Sequence, residues 1–257
     1  MRFVKICGFG VGLPALLVVL WWACSKDSTS IYMPKPISLT ATFGEIWFSE
    51  RFMLDVLPSL ARLAGGVTLA IIIGIAAGLL IGSVRWLRDL LEPLLEFFRA
   101  VPPPVLVPLL ILFLGVGDTM KVAVITSGCV WPVLMNTVEG VRATDSVTRD
   151  SARIYSLSGA ASIRYLVLPS AAPQIMVGIR QCLSIGLILM VISEMFASSS
   201  GLGFTIVQFQ RSFSIPEMWS GIVLLGLIGV VLSLIFQLAE RSILRWYFGS
   251  KEADHAG

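Results

Sequence analysis

Six long apolar runs alternate with polar segments along the chain: Cys7 to Ser25, Leu63 to Val84, Ala100 to Gly117, Val122 to Val138, Ala172 to Ser198 and Met218 to Ala239. A bilayer core about 30 Å thick takes roughly 20 helical residues at 1.5 Å each, which is the length these runs approach or meet. The third and fourth are a little short, so tilt or local thinning of the bilayer has to accommodate them. Ten-residue segments of alternating polarity, the mark of a membrane barrel, do not appear, so the spans are expected to be helices. The pattern therefore predicts an all-α membrane protein with about six transmembrane helices.

The polar segments carry the topology. The stretch between Val138 and Pro173 is too hydrophilic to cross a bilayer, yet it is patterned like short helices. Basic residues concentrate in alternate segments: Arg2 and Lys5, then Arg85, Arg88 and Arg99, then Arg142, Arg149, Arg153 and Arg164, and finally Arg241, Arg245 and Lys251. The other side receives half as many, namely Lys26, Lys35, Arg51, Arg62, Lys121 and Arg211. The positive-inside rule then puts both termini and the 139–171 loop in the cytoplasm. Residues 26–62 are external, with Pro34 and Pro36 marking irregular chain and Phe43 to Leu57 forming an amphipathic helix along the interface. The expected organisation is residues 1–57 as an N-terminal transmembrane helix with its external segment, residues 58–240 as a core of five transmembrane helices with the 139–171 loop, and residues 241–257 as a cytoplasmic tail.

Composition agrees and narrows the field. Of the 257 residues, 56% are hydrophobic and only 14% charged, and the mean hydropathy is +0.87, well outside the range of soluble domains. Arg2 and Lys5 before the first run also fit a signal peptide, but no A-x-A site follows and Trp21 and Trp22 read as interfacial anchors. Cys24 has Trp21 where a lipidation motif normally has Leu. Cys7, Cys24, Cys129 and Cys182 show no paired spacing and read as packing residues, neither disulfide framework nor metal site. The net charge of +3 suits an anionic membrane surface. The basic residues form no stripe, which gives nucleic-acid binding no support. His255 sits in the polar tail, and no Gly-x-x-x-x-Gly-Lys-Ser/Thr phosphate loop is present, so no ATP site of that kind belongs to this chain.

A few residues inside the spans stand out. Gly74, Gly78 and Gly82 repeat every four residues, a small-residue face that lets helix backbones approach closely. Pro102, Pro103 and Pro104 open the third run and Pro108 follows, which predicts a kinked or late-starting helix. Broken helices at membrane depth are tolerated where protein or a water-filled cavity surrounds them, so Pro104 and Pro108 are candidates for a translocation path. Arg180 and Glu194 are the ionisable residues of the fifth run; about 21 Å apart along a helix, they cannot pair with each other. A carboxylate at the bilayer centre costs roughly 2.5 to 3.5 kcal/mol, which makes Glu194 either a path residue facing protein or water, or an interfacial one that snorkels or caps neighbouring backbone.

The polar loop carries a resemblance. Its Asp150-Ser151-Ala152 run and its Leu166-x-Leu168-Pro169 ending resemble the EAA loop of the membrane subunits of binding-protein-dependent ABC importers. Asp150 takes the Glu position, and Ser156 stands where that family usually has Gly. Ser adopts positive φ reluctantly, which predicts a looser or displaced turn with Gly159 as the permissive residue. Further matches are Val107-Pro108-Leu109 leading to Gly115-Val116-Gly117, the junction from Pro169 through Pro173 and Gly178 to Arg180, and Ile192-Ser193-Glu194 followed by Ala197-Ser198-Ser199-Ser200-Gly201-Leu202-Gly203. The last is similar to permeases of the nitrate, sulfonate, taurine and bicarbonate group, and the likeness runs from about Leu57 to Trp246.

The resemblance implies a type I ABC importer-like permease fold in a bacterial inner membrane, working with ATPase subunits that hold ATP and Mg, a second and identical permease subunit, and an extracytoplasmic substrate-binding protein. It further implies that Asp150, Ser151, Ala152, Ser156, Leu157, Gly159, Leu166, Leu168 and Pro169 couple the chain to the ATPase, and that the substrate is a small anion, with sulfonates foremost. An ion-gradient-driven secondary transporter is the alternative; it calls for an internal repeat, which the sequence does not display.

Overall fold

The structure is a computed structural model describing residues 12, 16, 18–25, 32, 34–196 and 198–247. Of the first apolar run, residues 18–25 are helical and the rest lies mainly outside the described residues, as do His255 and the remainder of the tail beyond Tyr247. Helix α1 (Pro36–Trp47) comes earlier than the interfacial helix expected at 43–57. A π turn at Phe52–Val56 then leads without a break into α2 (Leu57–Ser83). The second span is thus 32 residues long, Phe52–Ser83, and not the run that starts at Leu63. Arg62, expected outside, lies within it and is 6% exposed. Stopping the span at its first charge misplaced the boundary, because that charge is neutralised inside the protein.

The cytoplasmic loop expected at 85–99 is instead a helix, α3 (Arg85–Ala100), whose Leu87, Leu91 and Leu95 pack against Ile81, Leu134 and Val138. Pro102, Pro103 and Pro104 cannot donate amide hydrogen bonds, so the chain breaks after α3. It resumes as a 3-10 turn, Pro103–Leu106, and α4 (Val107–Leu114), bent 82° from α3. Gly115, at φ +73, ends α4 in a conformation that L side chains rarely adopt. Helix α5 (Asp118–Arg142) follows.

The loop is largely helical: α6 (Ser146–Ile154), then α7 (Gly159–Ser162) and a π turn at Ile163–Val167 running into α8 (Leu168–Phe196). The fifth span is therefore one 38-residue element, Gly159–Phe196, which absorbs the second half of the expected loop. Each π turn sits just before a proline, Pro58 or Pro169. The residue preceding the proline donates five residues back, Leu57 to the Phe52 carbonyl and Leu168 to the Ile163 carbonyl. Slipping the register there accommodates the donor that proline lacks. Helices α9 (Leu202–Arg211) and α10 (Ile215–Ile243) complete the described chain. Leu244, placed in the tail by the sequence, is buried with Met176 and Phe236.

Among the described residues, four helices are long and apolar enough to cross a membrane, and five if α3 with the Pro103–Leu114 segment counts as one bent span. The centre is the triple α2, α5 and α8, which buries Val67, Ala70, Ile125, Cys129, Val133 and Cys182. Lipid removes the ordinary hydrophobic drive between helices, so close backbone approach has to supply association. Glycines permit it. A Cβ on Gly74, Gly78 or Gly82 would lie 2.8, 2.5 or 2.9 Å from the Cβ of Val133, Thr137 or Val141 on α5, and one on Gly178 of α8 would meet the Pro132 carbonyl at 2.7 Å. Helix α10 stands at the edge, joined by the Trp47 Nε1 hydrogen bond to Ser220 Oγ at 3.0 Å and by an ion pair between Arg180 and Glu240, and it leaves Val230, Ile235 and Leu238 exposed.

Candidate functional site

Two constellations occupy opposite ends of the central triple. At the end where α5 stops, Asp145 caps α6 by accepting from the Thr148 backbone N–H at 3.0 Å and lying 3.2 Å from its hydroxyl. Arg149 reaches back to the Val141 carbonyl at 2.6 Å and fastens α6 to the end of α5. Helix α6 closes with a six-to-one hydrogen bond from the Leu157 N–H to the Ala152 carbonyl at 2.9 Å, and Ser156 between them sits at φ +57. This is a Schellman cap, in which the left-handed position is normally Gly. The turn is not displaced onto Gly159: Ser156 takes the positive angle itself, and Gly159 adds a second at φ +54. A left-handed L-residue costs roughly 1–2 kcal/mol, so the serine is held there against its preference.

Beneath α6 lies a cleft of about 300 Å³ bounded by Val141, Arg149, Ala152, Leu157, Gly159 and Leu166. Ala152 is 7% exposed and Leu166 is buried, so both face their own subunit. Ala152, expected among the residues that couple the chain to the ATPase, therefore does not present its side chain to a partner; its small size lets α6 lie down on the bundle. The outer surface is formed by Asp150, Ser151, Val147, Ile154, Tyr155 and Tyr165, all exposed, with Leu157 and Leu168 at the margin and Pro169 half-buried inside the helix.

At the other end, Glu194 is completely buried. Arg62 Nη1 donates to its Oε1 at 2.6 Å, the Gly203 N–H to its Oε2 at 3.0 Å, and Ser59 Oγ lies 2.7 Å from Oε1. Arg62 continues to Asp118 Oδ1 through Nε at 2.8 Å and to the Ser200 carbonyl and hydroxyl, each at 3.2 Å. Ser59 Oγ accepts the Leu202 N–H at 2.9 Å, Asp55 Oδ1 accepts the Gly201 N–H at 3.1 Å, and Lys121 lies 3.7 Å from Asp118. The Ser/Gly-rich motif thus has a structural meaning. It presents the first amides of α9 to a carboxylate and a hydroxyl, the arrangement that favours negative charge at a helix N-terminus. Gly201 is at φ +116, and a Cβ there would fall 2.5 Å from the Glu194 carboxylate.

Glu194 caps neighbouring backbone by accepting the Gly203 N–H, but it does not snorkel, since it is completely buried. Nor does Glu194 join Pro104 and Pro108: it pairs through Arg62 with the start of α5, whereas the Pro103–Leu106 turn meets α5 at Gly128, about 15 Å further along. Pro104 is half-buried in that turn and Pro108 is exposed. The sequence reading missed Asp55, Ser59 and Arg62. Their spacing of four and three residues puts them on one helix face, a signal visible only once the span is known to start at Phe52. Among the described residues no group of His, Cys, Asp and Glu is arranged to hold a metal.

Residues 70–247 match the family described as binding-protein-dependent transport system inner membrane component. The chain is 29% identical over 239 residues, 92% of this chain and 87% of that one, to the Bacillus subtilis (strain 168) protein named "Putative aliphatic sulfonates transport permease protein SsuC". It is 26% identical over 247 residues, 93% and 90% of the two chains, to the nitrate import permease protein NrtB of a Synechocystis species. Its fold is similar to a chain of the inward-facing MetNI methionine ABC transporter, with a TM-score of 0.64 at 17% identity over 74% of this chain and 94% of that one.

Proposed function

The chain belongs to the family of binding-protein-dependent transport system inner membrane components, and from that premise we propose that its α5–α8 loop is where ATP-derived movement enters. As a permease subunit of a binding-protein-dependent ABC importer it is distinguished from the ion-gradient-driven alternative. On our reading, two ATPase subunits, each with ATP and Mg, grip the α6 loops of two identical permease subunits. A soluble binding protein delivers substrate at the Glu194 end. The loop end and both termini are cytoplasmic, in keeping with the distribution of basic residues. The relatives' names favour a small anion, with sulfonates foremost.

The observation that carries this reading is the outward face of α6. Ile154 and Tyr155 are 81% and 80% exposed at the tip of a short helix that lies beyond the spans. Covering a side chain of this size is worth about 1.5–3 kcal/mol, so a groove in a partner that receives both gains several. The same helix is tied to α5 by Arg149 and to α8 by the short turn at 155–158. A displacement of α6 therefore bears on both spans and biases a two-state arrangement of the bundle.

The test is Ile154→Glu, which touches little of its own subunit. We expect the permease to insert while ATPase content, binding-protein-stimulated hydrolysis and uptake all fall together. Wild-type values for all three would remove α6 as the coupling element.

A further inference from the structure

We infer that the outward stripe of α8 carrying Arg180, Gln181 and Ser184 faces water inside the membrane, as one wall of the transport path, and that a second copy of this chain closes the opposite side. The inference rests on the importer reading above and deepens it by assigning the face along which the path runs.

The depth of the stripe follows from its neighbours. Gly74, Cys129 and Gly229 each lie near the middle of an apolar run, 63–84, 122–138 and 218–239. A Cβ on Gly74 and one on Gly178 of α8 would both meet Val133, and a Cβ on Gly229 would lie 3.2 Å from Leu187. Cys129 Sγ donates to the Cys182 carbonyl at 3.2 Å. Residues 178–187 of α8 are therefore level with the midpoints of three other spans.

At that depth the exposed residues sort by helix. Helix α2 shows Leu69, Ile72, Ile73, Ala76 and Leu80 to the outside, and α10 shows Leu227, Val230, Val231 and Leu234. All of these suit lipid. Helix α8 shows Arg180, Gln181 and Ser184 between Val177 and Ile188, and their spacing of one and four residues keeps the three on one side. Polar groups extend the stripe in both directions. Gln181 accepts from Asn136 of α5 at 3.5 Å, and Asn136 accepts from Gln174 at 3.1 Å. On the other flank, Ser233 of α10 shares a groove of about 300 Å³ with Ser184 and Arg180, and Gln237 donates to it at 3.5 Å. Arg180 pairs with Glu240, yet its side chain is still 59% exposed.

Hydrocarbon offers such groups no hydrogen-bond partner, so polar side chains of spanning helices face the interior of a protein assembly or a water-filled cavity. Here they point out of their own bundle, and the cover has to come from another chain. Two copies related by a two-fold axis need only this one stripe each, because a two-fold contact is self-complementary. Apposed, the stripes screen each other from lipid and keep water between them.

The experiment is thiol accessibility in the purified permease–ATPase complex in lipid nanodiscs. Cys7→Ser and Cys24→Ser remove two native thiols, and a complex without an added cysteine corrects for the buried Cys129 and Cys182. Ser184→Cys, nearly isosteric, reports on the stripe; Ile73→Cys and Val231→Cys report on lipid-facing positions at the same depth. A charged methanethiosulfonate attacks the thiolate, which water permits and hydrocarbon suppresses, so Ser184→Cys is expected to react roughly a hundredfold faster than either control. A bifunctional thiol reagent is expected to join two copies of Ser184→Cys and of neither control. A rate no faster than the controls overturns the wet stripe, and a fast rate without joined copies overturns its closure by a second copy. If the Ser184→Cys complex cannot be recovered, Gln181→Cys is judged by the same two results. Binding-protein-stimulated hydrolysis and uptake are measured on the unlabelled preparations. If they are present while Ser184→Cys reacts slowly, this inference alone fails; if they are absent from the unmodified complex, the importer reading fails first.

Discussion

Replacing Glu194 by Gln tests whether the buried network holds the fold together or acts in transport directly. The change is nearly isosteric, so packing around Gly201 and Gly203 is preserved while the charge is lost. Arg62 and Lys121, both buried, would then share only Asp118 as a close counter-charge, and Asp118 itself is 71% exposed. The Gly203 amide and Ser59 would also lose an ionised acceptor. Removing one partner of a buried ion pair typically costs 3–5 kcal/mol, because the other charge remains desolvated. For a chain of this size that corresponds to a fall of roughly 6–20 °C in unfolding midpoint. The assay is thermal unfolding of the purified complex in detergent, with yield and uptake per folded molecule measured alongside. Arg62→Met and the double variant Arg62→Met/Glu194→Met complete a cycle, in which the double variant should be less destabilised than the sum of the single ones. An unchanged midpoint with depressed uptake in Glu194→Gln would refute the structural role and return the carboxylate to the transport path.

Gly78→Leu should cost at least the roughly 1–3 kcal/mol of an overpacked interface, since even a Cβ would lie 2.5 Å from Thr137; folded yield on size exclusion checks this, and a wild-type yield would show that α2 and α5 have room to separate. Ser156→Gly should stabilise the α6 cap by about 1 kcal/mol by relieving the left-handed serine. Slower proteolysis of the loop at matched assembly is the readout, and faster cleavage would show that the Schellman turn is not the conformation held in the membrane.

The apolar runs made α2, α5, α8 and α10 legible because lipid-facing helices have to be apolar along most of their length. The order of the loop, proline and glycine motifs made the family legible. The span boundaries were not, and the reason is the same at each. Arg62 looks like a loop residue until Glu194, more than a hundred positions later, is known to neutralise it. Residues 159–171 look like a loop because their exposed polar positions hide a helix that continues past Pro169 by a π turn. Helix α3 escaped because it is amphipathic: a search for uncharged runs passes over a helix whose charges interrupt the apolar positions in sequence while one partly buried stripe of Leu87, Leu91 and Leu95 packs on the bundle. The inward aim of Ala152 follows from the Arg149 tether, a tertiary contact with no local trace.

The glycine seams between α2, α5 and α8 restrict how this bundle can move. A side chain of one helix seated in a hollow of the next blocks gradual sliding; the alternative to staying put is a whole-turn jump of about 5.4 Å, which would break every seat at once. The three helices therefore behave as a single strut. Compliance is left to the two places where the helical register is already slack, the π turns at Phe52–Val56 and Ile163–Val167. One adjoins the ionic end and the other the loop end, so under the coupling proposed for α6 a push on that helix would turn the strut about end joints and arrive at the far side as a change of tilt.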